Sequence, residues 1–184
     1  MFNIQKMEDI KIYYFDTLES TNDKAKEFEC EEDNYIIYTK NQTNGRGQYD
    51  RRWISKNGLT FSIVLKELDN ELYKIVPQAI VQYLKSKGID ANIKLPNDIY
   101  YKGKKLGGIL IENIFKDNQY EKTIIGIGLN INEDDSIGKD VDLYIGIRIE
   151  DDIEKIMLDI YNKIRRNEFL KNMSGDYIKN IKTC

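Results

Sequence analysis

Two stretches of the chain, KKLGGILIEN (residues 104–113) and IIGIGLNIN (residues 124–132), have the composition of strands yet carry glycines inside them. Runs rich in isoleucine and leucine read as strands. Glycine in a strand interior costs entropy and packs nothing. It survives there at bulges, at tight strand packing, or where something approaches the backbone closely. For Gly107, Gly108, Gly126 or Gly128 taken singly, a bulge or close packing is explanation enough. Two glycine-bearing strands in one chain favour a floor on which a ligand lies.

The rest of the chain supplies the other layers. KIYYF (11–15), YIIYTK (35–40), LTFSIVLK (59–66) and the short NIKLP (92–96) read as strands. Ser20 followed by Asp23 resembles a capping box, so a helix is expected from Thr21. Residues 41–57 form a polar, glycine-bearing stretch, read as a long functional loop. Pro77 is expected in the first turn of a helix that runs to Lys87 and stops at Gly88. NDIYYKGKKLGGILIEN reads as a hairpin turning at Lys102–Lys104. Ile153, Ile156, Met157, Ile160, Tyr161 and Ile164 recur at helical spacing, and NEFLKNMSGDYIKNIK (167–182) reads as a second helix. The expected fold is α+β, a mixed β-sheet with flanking helices, in one domain without repeats or linkers.

Composition narrows the chemistry. The 184 residues contain no histidine, which removes Ser-His-Asp and Cys-His catalysis and argues against zinc. Cys30 and Cys184 make no disulfide framework. No metal ligand set is expected in the protein itself. Neither a secretory signal nor an apolar run of membrane-spanning length is visible, so a cytoplasmic protein with no membrane partner is expected. The net charge of −3 argues against general nucleic-acid binding. Positive charge is nevertheless concentrated. From Lys40 to Lys56 five basic residues stand against Asp50 alone, and from Lys94 to Lys105 four lysines stand against Asp98 alone.

Gly45 to Trp53 reads GRGQYDRRW. Backbone N–H groups of glycine-rich turns wrap anions, arginine adds charge-assisted hydrogen bonds, and tryptophan offers a stacking face. The combination suits a nucleotide, although a solvated basic loop with a core tryptophan would read the same. The stretch lacks the Gly-Lys-Ser/Thr ending of a Walker A loop. In KLPND, Lys94 ends a short strand and points either to solvent or into a site, while Asn97 and Asp98 suit a turn.

The order STND, QTNGRGQYDRRW, GLTFSIVL, KLPNDIYYKGKKLGGILIE and IIGIGLNIN resembles the catalytic domain of biotin–protein ligases, over about Ser20 to Asn132. The resemblance implies a fold shared with lipoate–protein ligases. It implies ATP-dependent formation of biotinyl-5′-AMP, with Mg²⁺ on the ATP, and then transfer to a lysine of a biotin carboxyl carrier protein. Roles follow by position. Ser20, Thr21, Asn22 and Gln42 match biotin-side residues; Arg46, Gly47 and Gln48 match the part that wraps the biotinyl-adenylate link. Gly107, Gly108 and Ile109 match the strand lining the biotin pocket. Arg51, Trp53 and Asn130 match nucleotide-side positions, Trp53 the one packed on adenine. Lys94 matches the lysine that meets both the biotin carboxylate and the α-phosphate. Lys94 and Arg46 are the expected catalytic pair.

The chain departs from the family pattern at Gln48, where arginine is usual, and at Leu95, where tryptophan is usual. With Gln48 the intermediate is expected to be held less tightly. A minimal ligase is expected, with a core at about 11–132 and C-terminal helices at about 151–182. Neither an N-terminal DNA-binding domain nor a C-terminal SH3-like barrel is expected, and a homodimer is compatible with the resemblance. The alternatives are a lipoate or octanoate ligase of the same fold and a non-catalytic biotin or nucleotide sensor.

Overall fold

The computed structural model describes residues 10–48, 52–131 and 146–166. Its elements in chain order are β1 (Lys11–Leu18), α1 (Thr21–Glu27), β2 (Tyr35–Arg46), β3 (Arg52–Leu65), α2 (Leu72–Ser86), β4 (Asn92–Lys94), β5 (Asp98–Tyr101), β6 (Lys104–Lys116), β7 (Gln119–Leu129) and α3 (Ile153–Arg165). The strands form one seven-stranded sheet in the order β1-β2-β3-β7-β6-β5-β4. β1 runs parallel to β2 and every other neighbouring pair is antiparallel. This is the mixed sheet with flanking helices expected from the sequence.

Successive strand residues point to opposite faces, and the sheet uses both. Ile36, Ile63 and Ile125 pack under α2 and α3 with Ile80, Leu84, Met157 and Ile160. Ile37, Val64 and Ile124 pack with Ala25 of α1, ringed by Tyr13, Phe15 and Phe28. α3 buries Ile156, Met157, Ile160, Tyr161 and Ile164, the stripe its spacing defines. α1 starts as expected, with Ser20 Oγ accepting from the Asp23 N–H at 3.2 Å. α2 ends at Gly88, whose φ of +77° favours glycine. There the N–H groups of Gly88 and Ile89 close back on the carbonyls of Lys85 and Leu84. The β5–β6 turn holds Lys102 and Gly103 at φ +50° and +76°, the two positive values that a tight twisted hairpin requires.

Two expectations are corrected. Residues 41–57 are not a long loop: β2 runs on to Arg46 and β3 starts at Arg52, with Asn41 opposite Lys56 and Gln42 opposite Ser55. Backbone pairing holds this end of the hairpin while most β2 side chains there are exposed, so no hydrophobic period reveals it. Pro77 is not in the first turn of α2, because the helix starts earlier, at Leu72, and the proline lies inside it. The Asp69 carboxylate accepts from the Glu71 N–H at 2.8 Å just before that start. Burial of Leu72, Ile75, Val76 and Ile80 offsets the hydrogen bond that an internal proline removes. The second C-terminal helix expected over 167–182 lies outside the described residues.

Candidate active site

The α1 face of the sheet carries the polar residues. At the start of α1, the Gln42 side-chain oxygen accepts from the Thr21 N–H at 2.8 Å and from its hydroxyl at 3.2 Å. Ser62 Oγ lies 2.6 Å from Asn22 Oδ1 and 2.8 Å from Thr21 Oγ1. Asn22 Nδ2 donates to Glu112 at 2.8 Å and to the Leu110 carbonyl at 3.3 Å. Its amide occupies the space over Gly126, where a Cβ would come within 2.9 Å of Asn22 Cγ. Thr21, Asn22 and Gln42 are therefore joined through Ser62 in one buried network, and Ser20, buried beside them, caps α1. Asn22 is engaged in holding α1 on the sheet. Gln42 reaches Thr21 because Gly45 leaves room: a Cβ on Gly45 would meet the Trp53 carbonyl at 2.5 Å and the Gln42 amide closer still.

Beside this network a single row of cross-strand partners runs over five strand pairs: Thr39, Thr60, Gly128, Gly108, Asp98 and Lys94. Directly opposed residues share a face, so the row lines the α1 side from β2 to the sheet edge. Two of its members are glycines, and other side chains fill the space above them. The Trp53 indole covers Gly128, and a Cβ there would lie 2.5 Å from Trp53 Cε2. Lys105 covers Gly108, at 3.6 and 3.7 Å from the Cβ position. The Lys105 ammonium pairs with Asp98 at 2.7 Å and stands 5.9 Å from the centre of the Trp53 ring system. Lys94, exposed at the end of β4, places its ammonium 3.3 Å from the Tyr100 hydroxyl and 4.7 Å from that ring's centre.

Thr60 Oγ1 in the row and Nε1 of the Trp53 indole that covers it are both buried without a partner. A buried donor and acceptor left unmade each cost about 1–3 kcal/mol. Tyr38 Oη and Gln78 Oε1 are in the same state away from the row.

Arg46 is held elsewhere. Its guanidinium donates to both Asp23 oxygens, at 3.1 and 2.5 Å, and to Glu112 at 3.2 and 3.3 Å. Lys26 shares the same carboxylates, at 3.1 and 2.9 Å. Burial works to raise both carboxyls. The Arg46 and Lys26 bonds outweigh it at Asp23, and the Asn22 and Lys26 bonds with nearby Arg46 outweigh it at Glu112, holding each below its ordinary value. The expected catalytic pair is thus split, Lys94 in the row and Arg46 over α1.

The remaining expected residues fall on both sides of the sheet. Gly47 and Gln48 follow the end of β2 and are partly exposed, while Arg51 lies outside the described residues. Gly108 belongs to the row. Ile109 is buried in the opposite core under α2 and α3, and Gly107 abuts Leu129 of that core, so neither offers a side chain to the α1 face. The Asn97 amide donates to the Ile109 carbonyl at 2.9 Å, and the Ile109 N–H returns to the Asn97 carbonyl. Asn97 therefore builds the turn, as its type suggests. Asn130 is buried beyond β7, with Nδ2 3.5 Å from the Lys105 carbonyl. Sequence reasoning missed Thr60, Ser62, Tyr100, Lys105 and Glu112. All five reach the site through register, which no short motif carries.

The chain belongs to the Biotin/lipoate A/B protein ligase family, whose pattern matches residues 14–130. Over 132 residues it is 34% identical to the bifunctional ligase/repressor BirA of Bacillus subtilis, a match covering 66% of this chain and 41% of that protein. It spans about two fifths of the length of such curated relatives. Among solved structures it is similar to the biotin protein ligase from Aquifex aeolicus in complex with biotin and ATP. That match has a TM-score of 0.73 and 26% identity, and covers 92% of this chain and 75% of the other. The biotin acetyl coenzyme A carboxylase synthetase from Helicobacter pylori with bound biotinylated ATP matches at a TM-score of 0.69 and 26% identity, covering 93% of this chain and 83% of that one.

Proposed function

We propose that this chain is a biotin–protein ligase that activates biotin with ATP and passes it to a lysine of a biotin carboxyl carrier protein in the cytoplasm. The observation that carries the reading is the row on the α1 face. It joins Thr60 and the Trp53 indole to a lysine at the sheet edge, with glycines between them over which Trp53 and Lys105 lie. Membership of the family and likeness to ligases solved with biotin and ATP support it.

The chemistry suits a site without histidine. The biotin carboxylate is already a nucleophile at neutral pH. One of its oxygens attacks the α-phosphorus of ATP, the bond to the β-phosphate breaks, and pyrophosphate leaves with the electron pair. The obstacle is the repulsion of two anions. Lys94 between them offsets it and follows the charge that develops on the phosphorus oxygens. The neutral amine of the carrier lysine then attacks the acyl carbon and loses a proton, and AMP departs. Among the described residues no group of three His, Cys, Asp or Glu side chains is placed to hold a metal. Mg²⁺ is expected with the nucleotide substrate, on its phosphates. Trp53 is the aromatic face available to adenine, and the Thr21–Gln42 network is the polar anchor available to the biotin ring.

The test is biotin-dependent exchange of ³²P-pyrophosphate into ATP, for wild type and Lys94→Ala. Exchange in wild type that is lost in Lys94→Ala supports adenylate formation with Lys94 at its centre. Biotin binding without exchange in wild type overturns the ligase reading in favour of a sensor.

A further inference from the structure

We propose that Glu112 is a positioning residue of this site: its carboxylate fixes the direction of the hydrogen bonds that run from Asn22 through Ser62 to Thr21. The inference rests on the ligase reading only for the ligand, biotin, that meets the Thr21 end of that chain.

Glu112 interrupts an apolar row. Tyr35, Val64 and Ile124 stand in register with it across β2, β3 and β7, and all three are buried in the core against α1. A carboxylate drawn in among them is costly unless it is paired and hydrogen-bonded, and Glu112 is both. Its Oε2 accepts from Asn22 Nδ2 at 2.8 Å, and its Oε1 accepts from Lys26 at 2.9 Å and from Arg46 at 3.2 Å. The two cations keep the group ionised, and an ionised carboxylate can only accept.

That acceptor decides which way the Asn22 amide faces. Nδ2 turns to Glu112 and, at 3.3 Å, to the Leu110 carbonyl, which leaves Oδ1 toward Ser62. The Glu112 bond is the shorter of the two and is charge-assisted, so it dominates. Asn22 Oδ1 has no proton to give, so the Ser62 hydroxyl donates its only one across the 2.6 Å contact. Ser62 Oγ then has only lone pairs for Thr21, 2.8 Å away. The Thr21 proton therefore stays inside the network, toward Ser62 or toward Gln42 Oε1 at 3.2 Å, and what the hydroxyl can offer a ligand is a lone pair. With the amide turned over, the Ser62 proton would go to Thr21 instead, and the Thr21 hydroxyl could donate outward. Asn22, Thr21 and Ser62 are all buried, so water does not scramble the order.

Biotin is titrated calorimetrically into wild type, Glu112→Met, Glu112→Gln, Ser62→Ala and the double variant of Glu112→Met with Ser62→Ala, with melting curves run in parallel. Methionine fills similar space and removes the acceptor, whereas glutamine keeps it. Glu112→Leu carries the same test if the Met variant melts early. The expected result is biotin affinity about tenfold or more weaker in Glu112→Met, the size of a lost charge-assisted hydrogen bond, and largely restored in Glu112→Gln. In the Ser62→Ala background the same Met substitution is expected to change the affinity by less than about twofold, because the chain through which Glu112 acts is already cut. A merely structural role for Glu112 would cost as much in either background. The full loss in the Ser62→Ala background, or affinity in Glu112→Met within about twofold of wild type, overturns the inference and leaves the ligase reading standing. The expected pattern together with no biotin-dependent pyrophosphate exchange in wild type does the reverse. Wild type that binds no biotin overturns both.

Discussion

The Trp53 indole occupies the space that a side chain on Gly128 would need, with Cε2 2.5 Å and Cζ2 2.7 Å from the Cβ position. The ring comes from the start of β3 and the glycine from the end of β7, and the two strands are neighbours in the sheet. Gly128→Ala therefore sets a methyl against a ring near the free end of a hairpin, which moves more readily than core. The tryptophan emission is expected to shift to longer wavelength as the indole leaves the sheet, with stability changed by only about 1 kcal/mol. An unchanged spectrum would mean that Trp53 does not rest on Gly128 in solution.

Gly126 is the contrasting case. A Cβ there meets Asn22 at 2.9 Å from Cγ and 3.0 Å from Nδ2. Asn22 is not free to move, because Ser62, Leu110 and Glu112 all bond its amide. Gly126→Ala must break those bonds or push α1 off the sheet. The expected loss is about 2–3 kcal/mol, combining overpacking with stranded polar groups. Urea unfolding of the two variants side by side checks the difference. Equal losses would show that occupant mobility does not set the cost.

What could be read from the sequence were the features made by local chemistry. Ser20 caps α1, the isoleucine stripe of α3 is buried, Gly88 ends α2 and Gly103 turns a hairpin because each obeys rules spanning a few residues. That something lies close on the glycine-bearing strands was legible, but not that side chains do so over Gly126, Gly128 and Gly108, since Asn22, Trp53 and Lys105 arrive from three different elements. The strand character of 41–46 was hidden because its pairing with β3 is backbone-to-backbone and its own residues are polar or glycine. The side on which Lys105 emerges depends on one extra residue at Leu106, and a bulge has no composition of its own. The pairing of Arg46 with Asp23 and Glu112 was not legible because those partners are distant in the chain.

Asp23 and Glu112 tie acid sensitivity to the same region. Their folded pKa values lie below the ordinary carboxylate range, Asp23's chiefly through Arg46 and Lys26, and Glu112's through Asn22 and Lys26. The stability they contribute is complete above the unfolded value of about 4 and is lost as pH falls through the depressed folded values. Glu112→Gln keeps the acceptor for Asn22 and removes the charge. Its melting temperature is expected to lie below wild type at neutral pH and to fall less between about pH 6 and about pH 3. Parallel pH profiles for the two proteins would show that Glu112 does not titrate with folding.

Gln48 sits just past β2, next to the segment that carries Arg46. The Arg46 charge is already matched by Asp23 and Glu112. A neutral amide at 48 therefore leaves this part of the hairpin with little unmatched positive charge for an adenylate phosphate. Gln48→Arg adds a guanidinium that those carboxylates do not neutralise, because Lys26 and Arg46 already engage them. Under the proposed activity, biotinyl-5′-AMP is expected to leave the variant about tenfold more slowly, the effect of one additional charge-assisted hydrogen bond. Release of labelled intermediate after gel filtration measures it directly. An unaltered off-rate would mean that this turn does not reach the phosphate, and retention would then rest on Lys94 in the row.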